Sequence, residues 1–327
     1  MKIKIFKKSR FILEYWLILT LLMVFKLMPY KIVELFSWTC GMALYLFPPT
    51  KKLIIANITT AMPELSARRI RAIARKSLAH TIMAPMEFAW MTSDPRRVEK
   101  YAHIDDDIIK TINDHHSKNE GIIYVNPHLG NWEVSALMVS HYTDIGMGIV
   151  IKQIRNPYIN KLFNESRAFD NTRLIYAKGA IRGSLKALRD GLAIGILLDQ
   201  NTKGRNGGIF VNFFGVPVAS SPAPFTLRQR IKNCHIYYGT AAKVDGRYIA
   251  LTETLSKKFE DYENEKEFLQ EFMDLTERYI RKYPEQYLWL YKRFQHIPQG
   301  IDEATRKRYP YYAKEPSESF YRRRKKK

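Results

Sequence analysis

Gly121-Ile-Ile-Tyr-Val-Asn-Pro-His-Leu-Gly-Asn-Trp-Glu133 is the stretch on which the reading of the fold turns. Its first six residues form a short apolar run rich in β-branched and aromatic side chains. That is the pattern of a strand buried on both faces. Pro127 and Gly130 then mark a turn. Asn131 can cap a following helix, which puts Glu133 in the first turn, where the helix dipole favours a carboxylate. A single histidine, His128, leaves the strand inside that turn.

The same alternation continues outward. Apolar runs at Ile145–Ile151, Arg173–Ala177 and Ala193–Leu198 predict further buried strands. Helical patterns fall between them at Asn131–His141, Asn156–Phe169 and Gly179–Arg189. Strand–helix alternation of this kind argues an α/β sheet with helices on its faces. His235–Ala241 and Tyr248–Leu255 add two strands joined through Asp245-Gly246, a hairpin signal, so the central sheet is expected to be mixed. Longer helices are expected over Arg68–Trp90 and Glu265–Tyr283, where apolar residues recur every three or four positions. There is no internal repeat.

The chain has 327 residues, 53 Lys+Arg against 32 Asp+Glu, and a formal charge of +21. Its hydrophobic and charged fractions are those of a globular protein, which excludes a disordered chain. Two isolated cysteines, Cys40 and Cys234, exclude a disulfide scaffold and suggest a reducing compartment. The charge points to anionic partners: nucleic acid, an acidic membrane surface or an acidic protein. No zinc-finger spacing, aromatic RNA-binding signature or basic heptad helix is present, so nucleic acid is set aside.

The charge is uneven. Residues 1–30 combine a basic flank with the apolar run Phe11–Phe25, interrupted only by Glu14 and closed by Lys26. No small-residue cleavage site follows, so this segment is expected to be a retained membrane anchor. A second apolar stretch, Ile32–Phe47, is expected to be interfacial or packed on the domain. Residues 31–302 form the body. Residues 303–327 hold Pro310, Pro316 and the basic run from Arg322, without apolar periodicity, and are expected to be a disordered tail.

Ligands of open α/β sheets gather at the carboxyl ends of the strands. The spacing brings His128 and Glu133 within plausible contact there. A neutral imidazole can take a proton from a hydroxyl, while a carboxylate on its other nitrogen fixes the tautomer. With no serine in the arrangement, the nucleophile is the substrate's own hydroxyl. The pattern H-x₄-E is weak alone, and a structural histidine after a strand is its plain alternative.

Four blocks strengthen the catalytic reading. NPHLGNWE resembles the H-x₄-E block of the membrane-bound glycerolipid and lipid A acyltransferases. Asn156-Pro157 to Arg167 resembles the family's N-P…R segment. Leu198-Asp199-Gln200, with Gly208-Ile209-Phe210-Val211 and Phe213-Phe214-Gly215, is similar to its D-Q…G…FFG block. Pro284-Glu285-Gln286-Tyr287-Leu288-Trp289-Leu290-Tyr291-Lys292-Arg293-Phe294 is similar to its last conserved-order segment. The order and extent, roughly residues 10 to 300, point to the bacterial lipid A lauroyl/myristoyl branch.

The resemblance implies a glycerolipid acyltransferase-like fold and an O-acyltransferase on the cytoplasmic face of the bacterial inner membrane. The donor is acyl carrier protein or acyl-CoA, and the acceptor a hydroxyl of a lipid A precursor. His128 is the expected base and Glu133 its partner. Arg167, Asp199, Gln200, Lys152 and Asn131 form the expected substrate-binding set; Asn131 also reads as the helix cap. Arg167 is assigned an oxyanion or a phosphate, and Asp199 and Gln200 a substrate hydroxyl or the orientation of that arginine. No cofactor and no metal are expected, and His115-His116 is read as solvated. Lys152 stands where the family has arginine, Tyr291 where it has histidine, and Gln295 where lysine is common. These departures bear on the acceptor, for which a lysophospholipid or glycolipid is the alternative. A non-catalytic basic membrane scaffold is the remote one. The glycine-rich stretch Gly204–Gly208 lacks G-x₄-G-K-[ST] and is not read as a nucleotide site.

Overall fold

The computed structural model describes residues 2–167 and 172–322. It opens with helices α1 (Lys2–Leu27), α2 (Tyr30–Leu46) and α3 (Pro48–Ala61). Pro29 stands at the N-cap of α2 and Pro48 at the first position of α3. There the missing N–H costs nothing and the preceding helix is forced to stop. Helix α4 (Ala67–Met91) starts where the Ser66 hydroxyl accepts from the Arg69 amide. After α5 (Pro95–Tyr101), the two-residue strand β1 (Ala102–His103) and α6 (Asp106–Ser117), the alternation read in the sequence begins.

That alternation runs β2 (Gly121–Asn126), α7 (Trp132–Tyr142), β3 (Met147–Ile151), α8 (Pro157–Ser166), β4 (Arg173–Tyr176), α9 (Ala180–Arg189), β5 (Ala193–Leu197). Every residue of β2 is buried, as its unbroken apolar run requires. The helix expected over Asn156–Phe169 ends at Ser166 on the described part; 168 and 169 lie outside the described residues. A small hairpin, β6 (Ile209–Phe213) and β7 (Val216–Ser220), follows, then α10 (Ala223–Arg230). The pair β8 (Cys234–Val244) and β9 (Arg247–Thr254) turns on Asp245 and Gly246, both left-handed (φ 49° and 81°), as a two-residue primed turn demands. Helices α11 (Glu265–Lys282), α12 (Glu303–Lys307) and α13 (Glu318–Tyr321) close the chain.

The main sheet has seven strands in the order β1-β9-β8-β2-β5-β3-β4. Strands β8, β2, β5, β3 and β4 are parallel neighbours, and β9 runs antiparallel to β8. The sheet is therefore mixed, as expected, and it buries its faces against helices. Helix α11 lays Phe268, Leu269, Phe272 and Met273 into the main core.

Two expectations about the ends of the chain change. Among the described residues no helix is long and apolar enough to cross a membrane. The apolar run of α1 carries Glu14, held by Arg10 and by the Asn156 side chain, and Lys26 closes it. The C-terminal segment is not a free tail over residues 303–322. The Arg308 guanidinium donates to the carbonyls of Phe214 (2.6 Å) and Gly215 (3.0 Å). The Tyr309 hydroxyl donates to Pro217 O (2.6 Å), and Phe320 is buried. Aromatic residues at 309, 312 and 320 supply the burial that the prolines and charges concealed. The last five basic residues, 323–327, lie outside the described residues.

Candidate active site

The register of one strand pair builds the site. Asn126 of β2 lies opposite Leu197 of β5, its parallel neighbour. Two residues further along each chain come His128 and Asp199, so the two side chains leave the sheet together. His128 Nδ1 lies 2.6 Å from Asp199 Oδ1, and the His128 amide donates to Asp199 Oδ2 at 2.9 Å. Both residues are buried, at 7% and 3% exposure.

The turn that carries His128 is clamped from both sides. The His128 carbonyl accepts from Leu288 N (3.0 Å), and Gly130 N donates to Gln286 O (3.0 Å). Gly130 is left-handed (φ 63°), and a Cβ there would stand 1.9 Å from Ala241 O. Only glycine fits that approach.

A carboxylate can only accept, so Nδ1 of His128 carries the ring proton and Nε2 keeps its lone pair. That lone pair accepts from the Gln200 amide at 3.1 Å. Asp199 remains ionised. Burial pushes its carboxyl up, but its electrostatic contact and hydrogen bonds with His128, together with the charge of Arg293, outweigh this and leave it below its ordinary value. Two residues of the last sequence block stand behind it. Buried Arg293 contributes positive charge and donates to Ala219 O (2.7 Å), Asn201 Oδ1 (3.1 Å) and the Ser220 hydroxyl. The buried Tyr287 phenol is raised well above its ordinary value, first by desolvation and next by the Asp199 charge. The block itself was the only sequence signal for Tyr287 and Arg293, and it named no role.

The contact expected between His128 and Glu133 is replaced. No hydrogen bond or ion pair joins them; Glu133 takes Arg167 instead, from Arg167 Nε to Oε2 at 3.0 Å and from Nη2 to Oε1. The physical reason is the register above: the β5 carboxylate already fills the Nδ1 side of the imidazole. Arg167 caps the C-terminal end of α8, and the Glu133 contacts hold its guanidinium above its ordinary value against burial. Asn131, expected in the substrate set, is fully buried. Its oxygen caps α7 by accepting from Val134 N (3.2 Å), and its amide donates to Ala84 O (2.9 Å). Lys152 follows β3 on the same edge of the sheet and is exposed. Trp132 packs its ring edge-on to His128 at 4.9 Å, while Trp289 is core.

A model of the bacterial lipid A biosynthesis acyltransferases matches residues 3–296. The chain belongs to that family. The lipid A biosynthesis lauroyltransferase of Escherichia coli is 26% identical over 295 residues, covering 88% of this chain and 92% of its own. The lipid A biosynthesis acyltransferase of Haemophilus influenzae is 25% identical over 254 residues, 76% and 78% of the two chains. The palmitoleoyltransferase of lipid A biosynthesis from Escherichia coli is 24% identical over 299 residues, 88% and 94%. The chain is thus an acyl-transferring enzyme of lipid A biosynthesis, and the family implies an acyl donor and a lipid A acceptor. Three of the four blocks read in the sequence supply the side chains that meet around His128: the NPHLGNWE block, the D-Q pair and the last segment.

Proposed function

We propose that this acyltransferase moves a fatty acyl chain from a thioester, on acyl carrier protein or coenzyme A, to a hydroxyl of a lipid A precursor, with His128 as general base. The observation that carries this is the buried Asp199–His128 pair with Nε2 turned to the displaceable Gln200 amide. The acceptor hydroxyl takes the place of that amide and gives its proton to Nε2. Its oxygen attacks the thioester carbonyl, and the tetrahedral oxyanion collapses, expelling a thiolate that takes the proton back. Asp199 stabilises the imidazolium formed between these steps.

Arg167 serves an anion, either the oxyanion or a phosphate of a substrate. Glu133 engages two of its five N–H groups and leaves the others for the ligand. In this reading Glu133 acts through Arg167. The reading that starts from spacing alone makes Glu133 the partner of His128. The two separate in an acyl-transfer assay with purified, folded variants. His128→Ala and Asp199→Asn are expected to lower kcat by about 10²–10⁴. Near-normal turnover of His128→Ala would sink the base assignment; near-normal turnover of Asp199→Asn with loss in Glu133→Gln would return the partnership to Glu133. Mass spectrometry of lipids with and without the gene reads the acceptor. A missing acyl chain on lipid A supports the proposal, and a change confined to phospholipids moves it to a lysophospholipid.

The enzyme is proposed to sit in the membrane interface on the cytoplasmic side. Helices α1 and α2 expose Leu13, Trp16, Leu17, Leu27, Leu35, Trp38 and Leu46 while lysines and Arg10 flank them. Apolar surface of this extent, rimmed by basic charge, suits a helix lying in the headgroup region rather than spanning the bilayer. Co-sedimentation with anionic vesicles is expected to fall in a Leu13→Ser/Trp16→Ser/Leu17→Ser variant; unchanged binding would remove this face from the picture.

A further inference from the structure

The start of β2 carries a second imidazole–carboxylate cluster, at the opposite end of the strand from His128. His115, read from sequence as solvated, is half-buried. Its Nδ1 lies 2.6 Å from Glu120 Oε2, and its Nε2 lies 2.8 Å from the Tyr237 hydroxyl. His235 Nε2 reaches the same Glu120 oxygen at 2.9 Å. The two imidazoles stack with centroids 3.6 Å apart. The fold dictates the meeting: β2 and β8 are parallel with aligned starts, Ile122 opposite His235, while Glu120 precedes β2 and His115 lies in the last turn of α6.

We propose that His115, Glu120 and His235 bind a divalent transition-metal ion of the zinc class. Two imidazole nitrogens and one carboxylate are the donor set such an ion takes, with water completing a tetrahedron. The three ligand atoms lie within 4.8 Å of one another. Around an ion with bonds of about 2.0–2.1 Å, tetrahedral ligand atoms stand roughly 3.3 Å apart. The 2.6 and 2.9 Å contacts therefore open by less than an ångström, within the reach of partly exposed side chains. Tyr237, 2.8 Å from His115 Nε2, supplies the outer support that such a ligand needs: with the ion on Nδ1 the ring proton sits on Nε2 and is donated to the Tyr237 hydroxyl. With both imidazoles neutral the cluster carries one negative charge, which a dication reverses. Nearby Arg228 is already paired with Glu260 at 2.8 Å. The ion joins α6 to the starts of β2 and β8 and takes no part in acyl transfer.

The test uses the full chain in detergent, stripped with a chelator and titrated with zinc ion alone by calorimetry and by elemental analysis after dialysis. One equivalent is expected to bind to the wild-type protein and to His128→Ala. Glu120→Gln and His235→Ala are expected to lose it, and Tyr237→Phe to bind 10- to 100-fold more weakly. Folding of each variant is checked by circular dichroism. Cobalt(II) is expected to give the visible absorption of a tetrahedral site with the same dependence. No bound equivalent, or binding unchanged in both Glu120→Gln and His235→Ala, overturns the proposal and leaves a proton-shared cluster.

Discussion

Strand β2 carries a histidine–carboxylate cluster at each end, and the two clusters differ in what surrounds the carboxylate. At the carboxyl end Asp199 is buried, serves one imidazole and has Arg293 behind it. At the amino end Glu120 is partly open to solvent, and two imidazoles share one of its oxygens. The first arrangement fixes one tautomer and directs one basic nitrogen outward, as proton transfer requires. The second has no fixed direction and can exchange its protons for a cation. The same residue types become different devices through burial and through the number of imidazoles per carboxylate.

The frame of the carboxyl end is the place where a small change breaks the contrast most. Gly130→Ala puts a methyl group against Ala241 O and forces a side chain onto a left-handed backbone. Strain and overpacking together are expected to cost about 2–5 kcal/mol of stability. His128, two residues away, is expected to lose its alignment, with a fall of about 10²-fold or more in turnover. Denaturant unfolding and the acyl-transfer assay measure the two losses. A Gly130→Ala enzyme with wild-type turnover would show that the turn is not what positions the imidazole.

Glu133→Gln comes next. If Glu133 acts by holding Arg167, the loss is one of orientation, expected at about 10- to 100-fold in kcat/KM and smaller than for Asp199→Asn. Arg167→Lys is expected to cost about as much, because an ammonium cannot reproduce the planar fork. Measuring all three in one assay ranks the carboxylates. An equal loss for Glu133→Gln and Asp199→Asn would erase the distinction drawn between them.

Much of this was legible in the sequence, for identifiable reasons. Strand β2 is buried on both faces, so its apolar run showed its bounds. Asp245-Gly246 carries the backbone demand of its turn in its residue types. The β6–β7 hairpin was hidden because its left-handed turn begins with Phe214, a residue that gives no turn signal. The sequence motifs contain His128, Asp199 and Gln200, but not their pairing. Pairing depends on which strands are neighbours, and β2 lies beside β5 across two intervening strand–helix units. Helix spacing points to Glu133; sheet register places Asp199 against the imidazole. The His115–His235 contact spans the same kind of distance and left no local trace.

A smaller effect is expected from the brace outside the carboxyl end. Arg308 closes the Phe214–Gly215 turn by two charge-assisted bonds to backbone carbonyls, in the hairpin whose second strand supplies the carbonyl and hydroxyl that hold Arg293. Arg308→Ala is expected to lower stability by about 1–3 kcal/mol with turnover little changed. An unchanged unfolding midpoint would show that the segment after residue 302 is only resting on the domain.

The smallest effect separates the two ends by acid titration. Both carboxyls lie below their ordinary values, 3.8 for Asp199 and 4.5 for Glu120. A carboxyl depressed in the folded state adds stability that is present above its ordinary value and is lost as pH falls through its folded one. Below about pH 4.5, stability is therefore expected to fall for both reasons. Asp199 is buried and has lost its solvent screening, so Asp199→Asn is expected to reduce the slope of the acid limb more than Glu120→Gln does. Glu120 faces water, so in metal-free protein Glu120→Gln is expected to change stability by less than about 1 kcal/mol and to leave turnover as it was. Unfolding measured at successive pH values from 7 downward in the two variants decides it. A larger acid shift in Glu120→Gln than in Asp199→Asn would mean that the amino end, open as it is, holds the more strongly coupled carboxylate.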